Sequence, residues 1–158
     1  MVAGQFDPDK AAQVSSEHFG TLESPDEPID RTYTVEPDQD GERTVVLRRV
    51  GDVQWVGAAY HIPAGSHEEY AAAKVLSYVL GDEPSGRLYK SLVETEKASN
   101  VYAFGFGFHD PGLTMSLAEV PENKDIEVAR QQLLTTIEQG FSEQPVTEEE
   151  VERAVSRF

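Results

Sequence analysis

Hydrophobic and polar positions change their period several times along this chain, and each change marks a predicted element. Asp7-Pro8 opens the first. Asp7 can cap the free N–H groups of a helix, and Pro8 suits the first helical position because its missing donor is not needed there. This helix is predicted to stop near His18, with Gly20 as a left-handed terminator. Residues 21–42 hold Pro25, Pro28 and Pro37 among many acids with little apolar periodicity, and read as an extended linker.

Arg43 to Val50 alternates imperfectly and is rich in β-branched residues, Gly51-Asp52 supplies a turn, and Val53 to Ile62 alternates again, so the pattern predicts a hairpin. Ser66-His-Glu-Glu69 has the spacing of a capping box ahead of an apolar run ending at Leu80, with Gly81 as the stop. A further helix is predicted from Ser85 to Lys97, burying Leu88, Leu92 and Val93. Asn100 to Phe108 then puts aromatics at 102, 104, 106 and 108 on one face and Ala103, Gly105 and Gly107 on the other. Something must approach that small-residue face closely. Asp110-Pro-Gly112 turns the chain into a strand over Leu113 to Val120, a helix spans Asp125 to Gly140, and Thr147-Glu-Glu-Glu150 is a second capping box before the last helix.

The predicted order is ββααββαα after a short N-terminal helix and the linker. Paired strands separated by paired helices imply an α+β domain, an antiparallel sheet with helices packed on one face. The last helix carries Val151, Ala154, Val155 and Phe158 on one stripe, predicted to face the sheet. No stop signal follows Thr147, so this helix reads as cut off at Phe158, with the uncovered surface inviting a homodimer.

Composition narrows the function. Across 158 residues, 29 acids against 13 basic residues give a net charge of −16, which opposes phosphate backbones and anionic lipid. No nucleic-acid or membrane partner is expected. No run approaches the roughly 18 to 20 apolar residues of a membrane helix, and the first residues lack the basic and apolar regions of a signal peptide, although a leader upstream would be compatible with this. The chain has no cysteine, which removes disulfides and thiol nucleophiles.

The segments Tyr33-Thr-Val-Glu-Pro37, Gly41-Glu-Arg-Thr-Val-Val-Leu-Arg-Arg-Val50, His61-Ile-Pro-Ala-Gly-Ser66 and Pro84-Ser-Gly-Arg-Leu-Tyr-Lys90 come in an order that resembles the pitrilysin/insulinase family of zinc metallopeptidases, over nearly the whole chain. That family pairs similar α+β domains, only one of which carries the inverted zinc motif H-x-x-E-H. The motif occurs nowhere in this sequence. On the corresponding helix the matching positions are Lys74, Ser77 and Tyr78. The arginine and tyrosine that complete the family's catalytic chamber align with Val93 and Asn100, with Tyr102 two residues further on.

The resemblance implies a non-zinc-binding domain of such a protein. Residues 1–24 would end a preceding domain, 25–42 link, and 43–158 form the peptidase-family domain, truncated in its last helix. Its partners would be other domains or subunits of the same peptidase, with a peptide substrate, zinc in the parent's catalytic domain, and a place in the bacterial periplasm. The alternative is a family member that has lost catalysis and serves as a binding or assembly protein.

Other candidate chemistry is thin. His61 and His67 flank Pro-Ala-Gly-Ser beside Glu68 and Glu69, but a spacing of six residues matches no standard ligand pattern, so they read as solvated loop histidines. Glu68-Glu69 sit where carboxylates serve a helix dipole, and His109-Asp110 reads as surface polarity rather than an acid–base pair. Ser85-Gly86 lacks the nucleophile-elbow context, and Gly105-Phe-Gly107 lacks the rest of a phosphate loop. Arg48-Arg49, Arg87 and Lys90 are the basic spots. Arg87, if exposed, would be placed to meet a peptide carboxylate, or else to bridge surface acids. The catalytic, cofactor and metal assignments are therefore none for this fragment.

Overall fold

The computed structural model describes residues 3–23 and 39–158, so most of the expected linker lies outside the described residues. The chain divides into two units at Val46–Leu47. In the first, helix α1 spans Pro8–Phe19, and the Asp7 carboxylate accepts from the backbone N–H groups of Asp9 and Lys10 at 2.9 and 3.2 Å, the predicted cap. Gly20 departs from expectation: its φ of −67° is right-handed, so the helix ends by simple fraying.

The second unit is the α+β domain. Strand β1 (Val53–Ile62) is followed by helix α2 (Tyr70–Gly81), a π-helical turn (Tyr89–Val93), strands β2 (Asn100–Phe106) and β3 (Gly112–Pro121), and helix α3 (Ile126–Leu134). A second π-helical turn (Thr135–Gln139) then leads into α4 (Gly140–Glu143), and α5 (Glu148–Val155) closes the order. The sheet is antiparallel with β3 in the centre, β1 and β2 at the edges, and registers such as Trp55↔Glu119 and Tyr102↔Leu117.

Three strands form among the described residues rather than four. Arg43 to Val50 makes no strand, and Val45, Val46, Leu47 and Val50 are exposed. Consecutive apolar residues there alternate onto both faces and run into Arg48-Arg49, so no single register gains much over a one-residue slip.

Alternation does set the faces of the other strands. Val56 and Ala58 of β1, Val101 and Ala103 of β2, and Ala118 and Val120 of β3 join one core with Leu80 of α2, Leu88 and Leu92 of the π-helical turn, and Ala129 and Leu133 of α3. Each fully buried leucine here contributes about 1.5–3 kcal/mol. The helices thus lie on one face of the sheet, as predicted. The expected second helix is shorter, and its third apolar residue, Val93, is only half-buried.

That turn ends in a Schellman arrangement. The Lys97 amide donates to Leu92 O at 2.8 Å and the Glu96 amide to Val93 O at 2.9 Å, with Glu96 left-handed at φ 56°. The entry to α2 also differs from expectation. Ser66 does not cap it; the helix starts at Tyr70, and the Glu69 amide donates to the His67 ring Nδ1 at 3.2 Å.

The second capping box forms as predicted: Thr147 Oγ1 accepts from the Glu150 amide and Glu150 accepts from the Thr147 amide. The stripe on α5, however, does not face the sheet. Ala154 is 4% exposed against 55% for Val155, and α5 packs on α2, because α2 and α3 already occupy the sheet surface.

Candidate functional site

Two places are candidates: the stretch of α2 where the zinc motif would stand, and the sheet face turned away from α2 and α3. At the first, Lys74 and Tyr78 share one side of α2, while Ser77 turns towards the sheet. Ser77 is buried, 3% exposed, donating to Ala73 O at 3.1 Å and lying 3.3 Å from Thr114 Oγ1. Lys74 Nζ sits over the Phe158 ring at 4.6 Å, and the Tyr78 ring meets the same ring edge-on at 4.9 Å.

Helix α2 packs closely on β2. A Cβ placed on Gly105 would lie 3.3 Å from Ser77 Oγ, and one on Gly81 would lie 2.6 Å from the Ala103 amide nitrogen. A Cβ on Gly107 would run into the Tyr70 ring at 2.5 Å. The small-residue face of β2 therefore receives α2, which fulfils the expectation of a close approach. Lys74 and Tyr78 are committed to Phe158 and the Ser77 hydroxyl to Ala73 O and Thr114 Oγ1, and an ammonium, a hydroxyl and a phenol are not the imidazole and carboxylate donors that zinc takes. These three side chains do not fit zinc.

The remaining candidates resolve individually. His61 lies on β1 opposite Leu113, while His67 serves the start of α2, so the two do not converge. No group of three or more His, Cys, Asp or Glu side chains that could hold a metal occurs among the described residues. His109 and Asp110 form an exposed pair at 3.5 Å. Ser85 donates to the Asp82 carboxylate at 2.7 Å, a local turn contact. Asn100 donates to the Glu119 carboxylate at 3.2 Å, and Val93 sits at the rim of the core.

Arg48, Arg49 and Lys90 are exposed. Arg87 is not. Its side chain is 13% exposed and holds Glu150 through Nε and Nη2, both at 2.8 Å, while Nη1 and Nη2 donate to the carbonyls of Gln144 and Pro145 at 2.6 and 3.0 Å. The guanidinium also stacks over Phe141 at 4.6 Å. This arginine is spent on joining the π-helical turn, the α4–α5 loop and α5, and is not available to a peptide.

The second place is the sheet face turned away from α2 and α3. By register its outward positions are Val53, Trp55, Gly57, Ala59 and His61 on β1, Asn100, Tyr102, Phe104 and Phe106 on β2, and Leu113, Met115, Leu117 and Glu119 on β3. Trp55 and Tyr102 stack at 6.0 Å with 28° between their planes, and each stays largely exposed, at 50% and 42%. The row continues as Phe104 edge-on to Phe106 at 5.1 Å, and Phe106 parallel to Phe108 at 6.1 Å. Beside this row Leu117 leans into the space that a Gly57 side chain would take.

The aromatic spacing on β2 was legible in the sequence. The parts of Trp55 and Glu119 were not, since only the register sets them beside Tyr102. Alternation across Trp55, Gly57 and Ala59 was the available signal.

An antiparallel sheet with helices on one face, and a helix that carries Lys74, Ser77 and Tyr78 where the inverted zinc motif would stand, define the class as a non-zinc-binding domain of the zinc-peptidase type. The chain belongs to the family described as the peptidase M16 inactive domain, whose model matches residues 1–158. The resemblance drawn from the sequence therefore holds. The chain is similar to zinc protease PqqE of Helicobacter pylori, 30% identical over 141 residues that cover 87% of this chain and 32% of that protein.

Among solved structures, an inactive peptidase domain from Bordetella parapertussis superposes with a TM-score of 0.64 at 41% identity, covering 72% of this chain and 61% of that one. A protease from Helicobacter pylori shares the fold with a TM-score of 0.80 at 24% identity, covering 96% of this chain and 37% of that one. The chain thus spans about a third of the Helicobacter relative.

Proposed function

We propose that this domain is a scaffold and chamber wall of a zinc-dependent peptidase, with its open aromatic face turned towards the extended peptide. The metal and its chemistry belong to another domain or subunit of the parent, where zinc activates a water for attack on the peptide carbonyl. The observation that carries this reading is the pairing of an α2 that has Lys74, Ser77 and Tyr78 in place of zinc ligands with a sheet face whose aromatics remain exposed. Buried packing on one face gives rigidity. The open face offers apolar contact to a chain that passes by, with edge-strand backbone beside it.

Cleavage assays test the division of labour. The isolated domain is expected to leave unstructured peptides intact by mass spectrometry, with or without added zinc, whereas the parent cleaves them and stops on chelation. A photo-crosslinking residue at Phe104 or Phe106 of the parent is expected to capture the peptide. Cleavage by the isolated domain that disappears on a substitution within it would overturn the reading, as would a parent whose crosslinker on this face never meets peptide.

A further inference from the structure

Resting on the chamber-wall reading, we propose that Trp55, Tyr102 and Glu119 form a subsite for the cationic side chain, arginine or lysine, of an extended peptide crossing the open sheet face. Glu119 stands directly opposite Trp55 in the β1–β3 register and directly opposite Asn100 in the β2–β3 register. Tyr102 is one outward row along, and its ring reaches back to stack on Trp55 at 6.0 Å. The three side chains therefore share one corner of the face.

Their chemistry is complementary to one kind of group. Faces of tryptophan and tyrosine attract a guanidinium or ammonium through the ring quadrupole, and a planar guanidinium also stacks on them. A carboxylate beside the rings supplies the counter-charge. Glu119 is held in place for this: its carbonyl accepts from the Ser99 amide at 2.8 Å and the Ser99 hydroxyl at 3.1 Å, and its carboxylate accepts from Asn100 at 3.2 Å.

No lysine or arginine occupies an outward position on any of the three strands, so among their side chains the carboxylate meets the neutral Asn100 amide and no cation. The chain as a whole carries a net charge of −16, which draws a cationic peptide in and repels an acidic one. Beside the subsite, apolar side chains of the peptide would meet Leu117, Met115 and Phe104, which share the same outward face.

The chain has a single tryptophan, so Trp55 emission reports directly on the subsite. The probes are a short unstructured peptide with one central arginine flanked by leucines, and the same peptide with citrulline in place of that arginine. The arginine peptide is expected to perturb the emission saturably and to bind about fivefold more tightly than the citrulline peptide. Glu119→Gln is expected to abolish that preference, while Glu148→Gln, which removes an equal charge from α5 on the helical side, leaves it intact.

Equal binding of the two peptides overturns the proposal, as does equal weakening by both variants, which would reduce the effect to overall charge. Absence of any saturable change does the same and leaves the corner to a neighbouring domain of the parent. In the first two cases the crosslinker at Phe104 or Phe106 still captures peptide in the parent, so the chamber-wall reading survives. Loss of that capture as well would remove both.

Discussion

Arg87 grips Glu150 across 63 residues of chain through two parallel bonds of 2.8 Å, and both side chains are nearly buried, at 13% and 14% exposure. The hydrogen bonds from Arg87 outweigh desolvation, which acts the other way, and hold the Glu150 carboxyl well below its ordinary value, at about 2; the same bonds raise the Arg87 pKa. Because the same carboxylate completes the capping box with Thr147, one pair fastens the entry of α5 to the π-helical turn.

The pair has a defined pH window. A carboxyl whose pKa is lowered on folding contributes stability that is fully present above its unfolded value near 4.5 and is lost as pH falls towards 2. After allowance for solvent screening the contribution is about 1–2 kcal/mol. Urea unfolding of the chain and of Glu150→Gln is expected to differ by this amount near neutral pH and to converge in acid.

Removing the arginine should cost more. Arg87→Ala takes the guanidinium donors from the carbonyls of Gln144 and Pro145 and leaves Glu150 with Thr147 alone of its partners, for a loss of about 3 kcal/mol. Arg87→Lys is expected to recover less than half, because an ammonium cannot reproduce the bidentate fork. Denaturant midpoints of the two variants check this.

Close packing of α2 on β2 gives an opposite pair of expectations. Gly81→Ala would put its Cβ 2.6 Å from a backbone nitrogen, which cannot step aside, so it should destabilise by about 1–3 kcal/mol despite the better helix propensity of alanine. Gly105→Ala meets the Ser77 hydroxyl at 3.3 Å and the end of the Ile62 side chain at an ordinary 3.5 Å, and should cost less than about 1 kcal/mol. Thermal unfolding distinguishes them.

Rebuilding the zinc motif should fail for the same reason. Lys74→His, Ser77→Glu and Tyr78→His together would force a carboxylate against Gly105 and Thr114, so a loss of about 3 kcal/mol or more is expected, with no tight zinc binding by equilibrium dialysis. A stable variant that binds one zinc would show that the helix can withdraw from the sheet.

Glu96 predicts a gain. Its left-handed backbone costs a side-chain-bearing residue about 1 kcal/mol, and its carboxylate meets only the exposed Lys124 at 3.8 Å. Glu96→Gly is therefore expected to stabilise the domain by about 0.5–1 kcal/mol, read as a higher denaturant midpoint.

Local rules that act within a few residues were written in the sequence and survive in the fold. Asp7 and Thr147 cap the helices they were expected to cap, period-two alternation on β2 separates Tyr102, Phe104 and Phe106 from Ala103 and Gly105, and the lack of H-x-x-E-H follows from the letters alone. Pattern also led astray where it acted without a partner. Arg43 to Val50 looks like a strand but forms none, and the apolar stripe of α5 looks like a sheet-facing surface but meets α2.

What tertiary structure alone decided is which distant residues become neighbours. Arg87 reads as a surface charge until α5 brings Glu150 to it, and Ser66 reads as a cap until the loop sets the His67 ring to accept the Glu69 amide instead. Trp55 and Glu119 are unremarkable letters 64 positions apart until the β1–β3 register sets them face to face beside Tyr102. The physical reason is the same in each case. Capping and alternation are satisfied by backbone groups within one or two turns, whereas a register, a helix-to-sheet distance and a buried ion pair depend on how whole elements pack, and a sequence specifies these only through the sum of all its contacts.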